Sequence, residues 1–266
     1  MYETHYHRAK DVAEAASLFA GASEARYLAG GQTLLPTMKQ RLAEPSDVID
    51  VRRIPELKGI TVSGDAVTIG AAMTHAEVSA SAEVKAAIPA LAYLAGLIGD
   101  PAVRHMGTIG GSLANNDPAA DYPAVAVALG ATIKTDKRTI AAADFFAGLF
   151  TTSLDPGELI VSVSFPIPAK AGYAKFRNPA SRYAMAGVFV AKLKDGSVRA
   201  GVTGAHGEGV FRSSAIEQAL AGSWSADALN GVSISTDGML ADIHGSAAYR
   251  ANLVKVMAKQ AVQAAG

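Results

Sequence analysis

The chain has 266 residues, with 24 basic and 24 acidic side chains and no cysteine. This length is enough for two domains or for one large one. A neutral chain lacks the broad basic surface that binds a phosphate backbone, so nucleic acid is not expected as a partner. The lack of cysteine excludes disulfides, thiolate zinc sites and iron–sulfur clusters held by this chain.

Targeting and membrane signals are also absent from the sequence. No stretch approaches the roughly 18 apolar residues of a membrane span. The chain begins with MYETHYHRAK, which has neither the apolar segment nor the small-residue cleavage site of a signal peptide. We therefore predict a cytoplasmic protein without a membrane span.

The first 55 residues have the pattern of a small α/β unit. Apolar residues at helical spacing predict helices over residues 11–19 and 33–42, with Asp11 as the N-cap of the first. Short β-prone segments predict strands over residues 26–29 and 48–51.

Residues 56–170 combine predicted hairpins with predicted helices. The hairpins pair residues 60–62 with 66–69 and residues 132–135 with 138–141, and the helices cover residues 74–80, 90–97 and 123–129. Residues 100–120 are predicted to be a loop, and residues 159–165 a strand that stops at Pro166.

A stretch rich in proline, glycine and alanine at residues 166–172 predicts a domain boundary near residue 170. Beyond it, strands are predicted at residues 173–176, 186–193 and 198–203, and helices at 212–221 and 246–262. Strands followed by helices indicate an α+β layer, an antiparallel sheet covered on one face.

The first glycine loop, residues 29–33, has the sequence Ala-Gly-Gly-Gln-Thr between a predicted strand and a predicted helix. Glycines allow positive φ and let backbone N–H groups approach a ligand without an intervening Cβ. The helix N-terminus adds unpaired N–H groups and partial positive charge, an arrangement suited to a diphosphate. Gln32 and Thr33 add side-chain hydrogen bonds. A tight turn is the alternative interpretation, because paired glycines are common.

The second glycine loop, residues 107–112, has the sequence Gly-Thr-Ile-Gly-Gly-Ser, and polar residues continue to Asp121. This composition suits a ligand cradle more than a fold element. The hydroxyls and glycine amides are candidates to hold a phosphate or a ribityl chain, and Asp121 to accept hydrogen bonds from sugar hydroxyls. An ordered loop with internally satisfied caps is the alternative.

Better-known fingerprints are absent. Neither loop fits the G-x-G-x-x-G pattern of a Rossmann site or the G-x-x-x-x-G-K-[ST] pattern of a P-loop. The histidines show no metal-ligand spacing, so no metal site is predicted. G-x-S-x-G, the mark of a hydrolase nucleophile, does not occur.

Two strings that contain the glycine loops resemble the FAD-binding medium subunit of molybdenum hydroxylases, the carbon monoxide dehydrogenase and xanthine dehydrogenase family. They are AGGQTLLPTMKQRLAEPSDVIDVRRIPELKGI and GDPAVRHMGTIGGSLANNDPAADYPAVAVALGA. The resemblance continues through GELIVSVSFPIP, YAKFRNPASRYAMAGV and SAAYRANLVKVMAKQAV.

The resemblance implies a PCMH-type FAD-binding domain over residues 1–170, built of two α/β subdomains at about 1–55 and 56–170. A C-terminal domain like that of the carbon monoxide dehydrogenase flavoprotein would follow over residues 171–266, with an antiparallel sheet and helices. The whole is an α+β protein.

Carried over by position, the resemblance implies a set of FAD-binding residues. They are Ala29, Gly30, Gly31, Gln32, Thr33, Leu34, Ile98, Thr108, Ile109, Gly110, Gly111, Ser112, Asp117, Asp121, Ile160, Lys175 and Tyr183. Ile98 and Ile160 would contact the ring or the adenine. Lys175 and Tyr183 lie in a segment that would reach over the isoalloxazine.

Two positions depart from the family pattern. The residue before Tyr183 is often acidic in the family and is Arg182 here. The second glycine loop ends in Ser112 where asparagine is frequent.

The function implied is that of an electron-transfer subunit in a heterotrimeric-type molybdenum hydroxylase. A molybdopterin-binding large subunit would oxidise the substrate, and a 2Fe-2S small subunit would relay electrons to the FAD of this chain. The FAD would then reduce an external acceptor. No side chain of this chain is expected to be catalytic toward the organic substrate.

Two alternatives stay open at this point. A stand-alone PCMH-type flavin oxidoreductase would need a base over the ring, for which His75 and Tyr183 are the best candidates. A non-catalytic assembly protein that has lost the flavin is the other, and the intact glycine loops argue against it.

Overall fold

The N-terminal part of the computed structural model, which describes residues 1–265, is a small parallel sheet with two helices. Its elements are β1 (His5–Arg8), α1 (Val12–Gly21), β2 (Ala25–Leu28), α2 (Leu34–Lys39) and β3 (Asp47–Asp50). β3 lies between β1 and β2 and is parallel to both. Both predicted helices and both predicted strands are present, and the Asp11 carboxylate caps α1 by accepting from the N–H of Glu14.

The helix after the first glycine loop is shorter than predicted. α2 ends at Lys39 instead of residue 42. Arg41 has a φ of 60°, and this left-handed residue turns the chain out of the helix. Apolar periodicity continues past this point, which is why the sequence predicted a longer helix.

The middle of the chain forms a five-stranded antiparallel sheet with helices packed on it. In chain order the elements are β4 (Ile60–Ser63), β5 (Ala66–Gly70), α3 (His75–Ala80), α4 (Ala82–Ala87), α5 (Pro89–Gly96), α6 (Pro101–Met106), α7 (Ile109–Asn115), α8 (Tyr122–Leu129), β6 (Thr132–Thr135), β7 (Thr139–Ala141), α9 (Ala142–Phe145), β8 (Phe146–Gly148), β9 (Thr151–Thr152) and β10 (Ile160–Pro166). The sheet order is β4-β5-β10-β6-β7, so both predicted hairpins are confirmed, and β8 and β9 form a separate small hairpin.

The prediction of a loop over residues 100–120 is wrong, because this segment contains α6 and α7. Asp100 caps α6 by accepting from the N–H of Val103, and the Thr108 hydroxyl caps α7 by accepting from the N–H of Gly111. Tertiary packing outweighs the low helix propensity of glycine here.

The C-terminal part is an antiparallel sheet of order β11-β12-β13-β14 with two further helices. Its elements are β11 (Lys170–Arg177), β12 (Ala184–Lys192), β13 (Val198–Thr203), β14 (Phe211–Arg212), α10 (Ser214–Gly222) and α11 (Ala247–Ala264). The predicted boundary near residue 170 falls where β10 ends and β11 begins.

Both faces of this sheet are covered, so the prediction of a single covered face is wrong. Val188 and Val190 pack in the core beneath α10 and α11, while Phe189 and Ala191 pack with α5 and α8. β12 is buried from Ala184 to Ala191, and such a continuous apolar run is typical of a strand covered on both sides.

None of the helices within residues 1–265 combines the length and the hydrophobicity needed to span a bilayer.

Candidate functional site

A cleft of about 610 Å³ lies where the two glycine loops meet residues of the C-terminal sheet. Of the residues predicted to bind the cofactor, all but Ile109 line it: Ala29, Gly30, Gly31, Gln32, Thr33, Leu34, Ile98, Thr108, Gly110, Gly111, Ser112, Asp117, Asp121, Ile160, Lys175 and Tyr183. The Ile109 side chain is instead fully buried in the core. Three distant stretches of sequence therefore share one cavity, whose size is typical of a ligand site.

The first glycine loop supplies free backbone donors to the cleft wall. The six consecutive N–H groups from Ala29 to Leu34 donate no hydrogen bond to any group within residues 1–265. Gly30 is buried and Gln32 and Thr33 are exposed, and a run of free backbone N–H groups that lines a cleft is typical of an anion site. α2 has only six residues, so these amides contribute more than its helix dipole.

Two glycines make this conformation possible. Gly31 has a φ of 70°, a value that disfavours a side chain. A Cβ on Gly30 would collide with the carbonyl oxygen of Met106 and lie 2.6 Å from the Cα of Gly107. The two glycine loops therefore touch through their backbones, and together they form one wall of the cleft.

Five of the six backbone N–H groups of the second glycine loop already donate within the protein. The N–H groups of Ile109 and Gly110 donate to the carbonyls of Met73 (3.1 Å) and Ala71 (2.9 Å). The other bonds run from Gly107 N–H to the Val103 carbonyl, from Gly111 N–H to the Thr108 hydroxyl and from Ser112 N–H to the Thr108 carbonyl. The glycine amides of this loop therefore have acceptors within the protein, and a contact of these glycines with a phosphate stays a prediction.

Two donors of the second glycine loop do remain. The Thr108 N–H and the Ser112 hydroxyl have no hydrogen-bond acceptor in the described part of the chain, and both residues line the cleft. This loop thus offers hydroxyl and single-amide contacts where the first offers a run of amides.

A buried ion pair joins α8 to β11 at the wall of the cleft. Lys175 Nζ lies 2.9 Å from Asp121 Oδ2 and also donates to the Leu97 carbonyl at 3.3 Å. The Tyr173 hydroxyl donates to the other Asp121 oxygen at 2.5 Å. Burial and the Asp121 charge raise the pKa of Tyr173 well above its usual value. Each charge is matched by a neighbour, as buried charges require.

The turn between β11 and β12 carries Arg182 and Tyr183 to the cleft. Arg182 has a φ of 62°, and the Asn178 side chain caps the turn by accepting from the N–H groups of Ala180 and Ser181. Burial, followed by the carboxylates of Asp117 and Asp121, raises the pKa of Tyr183. Tyr183 is therefore a neutral phenol at physiological pH, which makes it a poor base.

A third acidic residue of the cleft, beside Asp117 and Asp121, was missed by the sequence analysis. Glu158 lines the cavity and makes two hydrogen bonds with the Arg138 guanidinium, at 3.0 and 2.9 Å. This pairing lowers its pKa to about 2. The sequence analysis assigned no role to Glu158, and its partner Arg138 lies 20 residues away in sequence.

His75 also lines the cleft, and 4% of its surface is exposed. Its backbone N–H donates to the Gly107 carbonyl at 3.0 Å, and Thr74 and Glu77 form a capping box at the same end of α3. Burial and the positive charge of Arg104 lower the pKa of His75 to about 4. The imidazole is therefore neutral at physiological pH.

The cleft has the size of a ligand site, and the free amides on its wall suit an anionic group. The chain belongs to the family described as the FAD binding domain in molybdopterin dehydrogenase, whose model matches residues 2–168. FAD is accordingly its cofactor. The unpaired amides at residues 29–34 suit the diphosphate of FAD, and the rest of the cavity offers apolar walls and matched charges.

Curated relatives are similar over nearly the whole chain. The carbon monoxide dehydrogenase medium chain of Hydrogenophaga pseudoflava is 35% identical over 98% of this chain and 96% of its own length. The nicotine 6-hydroxylase medium subunit of Paenarthrobacter nicotinovorans is 35% identical over 96% of this chain and 94% of its own.

Among solved structures, reconstituted CO dehydrogenase from Oligotropha carboxidovorans contains a chain that superposes with a TM-score of 0.89. It is 33% identical, and the match covers 100% of this chain and 99% of that one. The α+β fold predicted from the sequence is thereby confirmed. The chain belongs among oxidoreductase subunits.

Proposed function

We propose that this chain is the FAD-carrying electron-transfer subunit of a heterotrimeric molybdenum hydroxylase. The observation that carries the proposal is the run of six unpaired amides, Ala29 to Leu34, on the wall of a cleft in a chain of this FAD-binding family. A cleft with such a wall is suited to hold one dinucleotide along its length.

Each part of the cleft is assigned a task toward FAD. The amides of the first glycine loop bind the diphosphate, and the Ser112 hydroxyl and Thr108 N–H contact the phosphate or ribityl chain. Ile98 and Ile160 provide apolar contact for the flat rings. FAD supplies the ability to accept electrons and to pass them on, while the protein supplies binding, orientation and electrostatic surroundings.

The buried pair of Asp121 and Lys175 fixes the charge distribution beside the cofactor. Because Tyr173 and the Leu97 carbonyl hold both partners in place, neither charge reorganises when electrons arrive. Preorganised charges of this kind act most strongly in a cavity from which water is excluded. We assign these residues to orienting and tuning, with no proton transfer to an organic substrate.

The partners follow from the names of the relatives. Several are called medium chains or medium subunits, and a medium chain implies a larger and a smaller partner. We propose a molybdopterin-binding large subunit and a 2Fe-2S small subunit. A chain without cysteine cannot hold the clusters, so electrons enter from the small subunit and leave to an external acceptor. We place the complex in the cytoplasm.

Binding of FAD at the cleft is tested with the full chain, stripped of flavin and titrated with FAD while flavin fluorescence is followed. We expect saturable binding that Gly31→Ala weakens. If the folded chain takes up no FAD, or if Gly31→Ala binds as tightly as the wild type, the proposed site is wrong.

Assembly is tested by purifying a tagged copy of the chain from its native cells. We expect two further chains in constant ratio, together with molybdenum and iron by elemental analysis. A flavin-loaded single chain that oxidises an organic substrate by itself would support the stand-alone alternative and overturn the subunit proposal.

A further inference from the structure

We propose that His75 is a positioning residue for FAD and holds it by donating a hydrogen bond from Nε2. The inference rests on the proposed function, because it needs FAD in the cleft. It concerns a side chain outside both glycine loops and depends on how the imidazole is enclosed.

The ring of His75 has one closed side and one open side. Nδ1 is enclosed by protein and makes no hydrogen bond within residues 1–265. Nε2 has no protein partner either, but it is the ring nitrogen that stays accessible. It lies beside Gly107, where an added Cβ would come within 2.6 Å of it. Glycine at residue 107 therefore leaves space beside Nε2, in a residue that lines the cleft.

The protonation of the ring follows from this enclosure. Burial and Arg104 keep the imidazole neutral at physiological pH, so one nitrogen carries the proton. An enclosed N–H without an acceptor destabilises a protein more than an enclosed lone pair without a donor. The proton is therefore on Nε2, and His75 faces the cleft as a neutral donor.

We expect the atom of FAD that accepts this hydrogen bond to lie in an uncharged part of the cofactor, because uncharged residues line the cavity with His75. Ile98, Gly99 and Val103 line the same cavity, and Arg104 is occupied by the carbonyls of Ile98 and Gly99 at 2.9 and 3.1 Å. A single neutral N–H donor at this position fixes the orientation of the ligand through the direction of one hydrogen bond, and it adds no net charge to the cleft.

The test compares FAD affinity among three full-length chains. His75→Phe keeps a ring without a donor, and His75→Gln places an amide N–H near the position of Nε2. We expect His75→Phe to weaken FAD binding about 10-fold, the effect of one lost hydrogen bond, and His75→Gln to stay within about threefold of the wild type. A wild-type affinity for His75→Phe overturns the inference, as does a His75→Gln variant as weak as His75→Phe.

A spectroscopic measurement on the wild type covers the case in which His75→Phe does not fold. Nitrogen NMR of the histidine side chains distinguishes the two neutral tautomers. We expect the Nε2–H form at neutral pH and a shift of the Nε2 resonance when FAD binds. The Nδ1–H form, or resonances indifferent to FAD, overturns the inference.

Failure of this inference is distinguishable from failure of the proposed function. If wild-type chain binds FAD and Gly31→Ala loses it while His75→Phe does not, only the role of His75 is wrong. If the folded wild type binds no FAD at all, the proposed function itself is wrong.

Discussion

The two glycine loops are similar in sequence and opposite in use. The first leaves six consecutive amides unpaired, whereas the second pairs the amides of Gly107 and of residues 109–112 within the protein. Gly31 is needed because its φ is positive, and Gly110 is needed because Ala71 packs too closely against it to leave room for a side chain. A glycine-rich string thus signals that backbone must come near something, and only the structure shows whether that something is a ligand or another part of the chain.

The largest effect is expected from Gly110→Val. A Cβ at this position would lie 2.6 Å from the Cβ of Ala71 and 2.8 Å from its carbonyl oxygen. We expect the free energy of unfolding of the flavin-free chain to fall by about 3 kcal/mol, as for an overpacked core, measured by urea denaturation. Gly21→Val is the control, because its helical position has open space around it. If Gly110→Val leaves the free energy of unfolding unchanged, close packing does not explain this glycine and a contact with the ligand becomes the better explanation.

Gly31→Ala should act mainly on the cofactor. A side chain at a φ of 70° strains the backbone and reorients the neighbouring amides. We expect FAD affinity to fall about 100-fold, equivalent to the loss of one strong hydrogen bond with a charged group. Gly64→Ala is the matched control, with a φ of 56° in a hairpin that does not line the cleft. Equal losses of affinity in both variants would assign the effect to general strain.

Acid should destabilise the flavin-free chain through His75, the residue that packs behind the second glycine loop. Its pKa is lowered from 6.5 to about 4 in the folded chain, so the unfolded chain binds the extra proton first. The stability it confers is complete above pH 6.5 and is lost as the pH falls toward 4. We expect a loss of about 2 kcal/mol from this residue at pH 5. His75→Gln should lack this component, and identical pH profiles of unfolding for the two proteins would contradict the prediction.

The smallest effect is expected from Ser112→Ala in the second glycine loop. The Ser112 hydroxyl has no acceptor in residues 1–265, so its removal should change the stability of the flavin-free chain by less than about 0.5 kcal/mol. FAD affinity should fall about 10-fold, because the proposed site assigns this hydroxyl a contact with the cofactor. Thr108→Val, in contrast, should lower the free energy of unfolding by about 1 kcal/mol, because it removes the hydroxyl that caps α7. An unchanged FAD affinity in Ser112→Ala would remove the last side-chain contact assigned to this loop.

Much of the architecture was predictable because local patterns agreed with the tertiary structure. The N-cap of α1, the two hairpins of the five-stranded sheet and the long C-terminal helix α11 all carry local signals of cap, turn or periodicity. α4, α9 and β14 were missed because they are short, and elements of two to six residues depend on what packs against them.

The site was predictable by position more than by mechanism. The family resemblance identified the residues that line the cleft. The sequence could not show that the N–H groups of Gly110 and Gly111 donate within the protein, to the Ala71 carbonyl and the Thr108 hydroxyl. The pairing of Asp121 with Lys175 joins residues 54 apart. Neither spacing nor composition indicates a contact of that range.

The ion pair between Asp121 and Lys175 has a consequence for how the protein is made. The matched family model ends at residue 168, but Lys175 and Tyr183 help to enclose the cleft. A nascent chain that has emerged only as far as β10 lacks Lys175, the counter-charge of Asp121, and also lacks the turn that carries Tyr183 to the cleft. We therefore expect FAD to be loaded only after β11 and β12 have been made. A chain truncated before β11 should accumulate without flavin, although every glycine of the cradle is present.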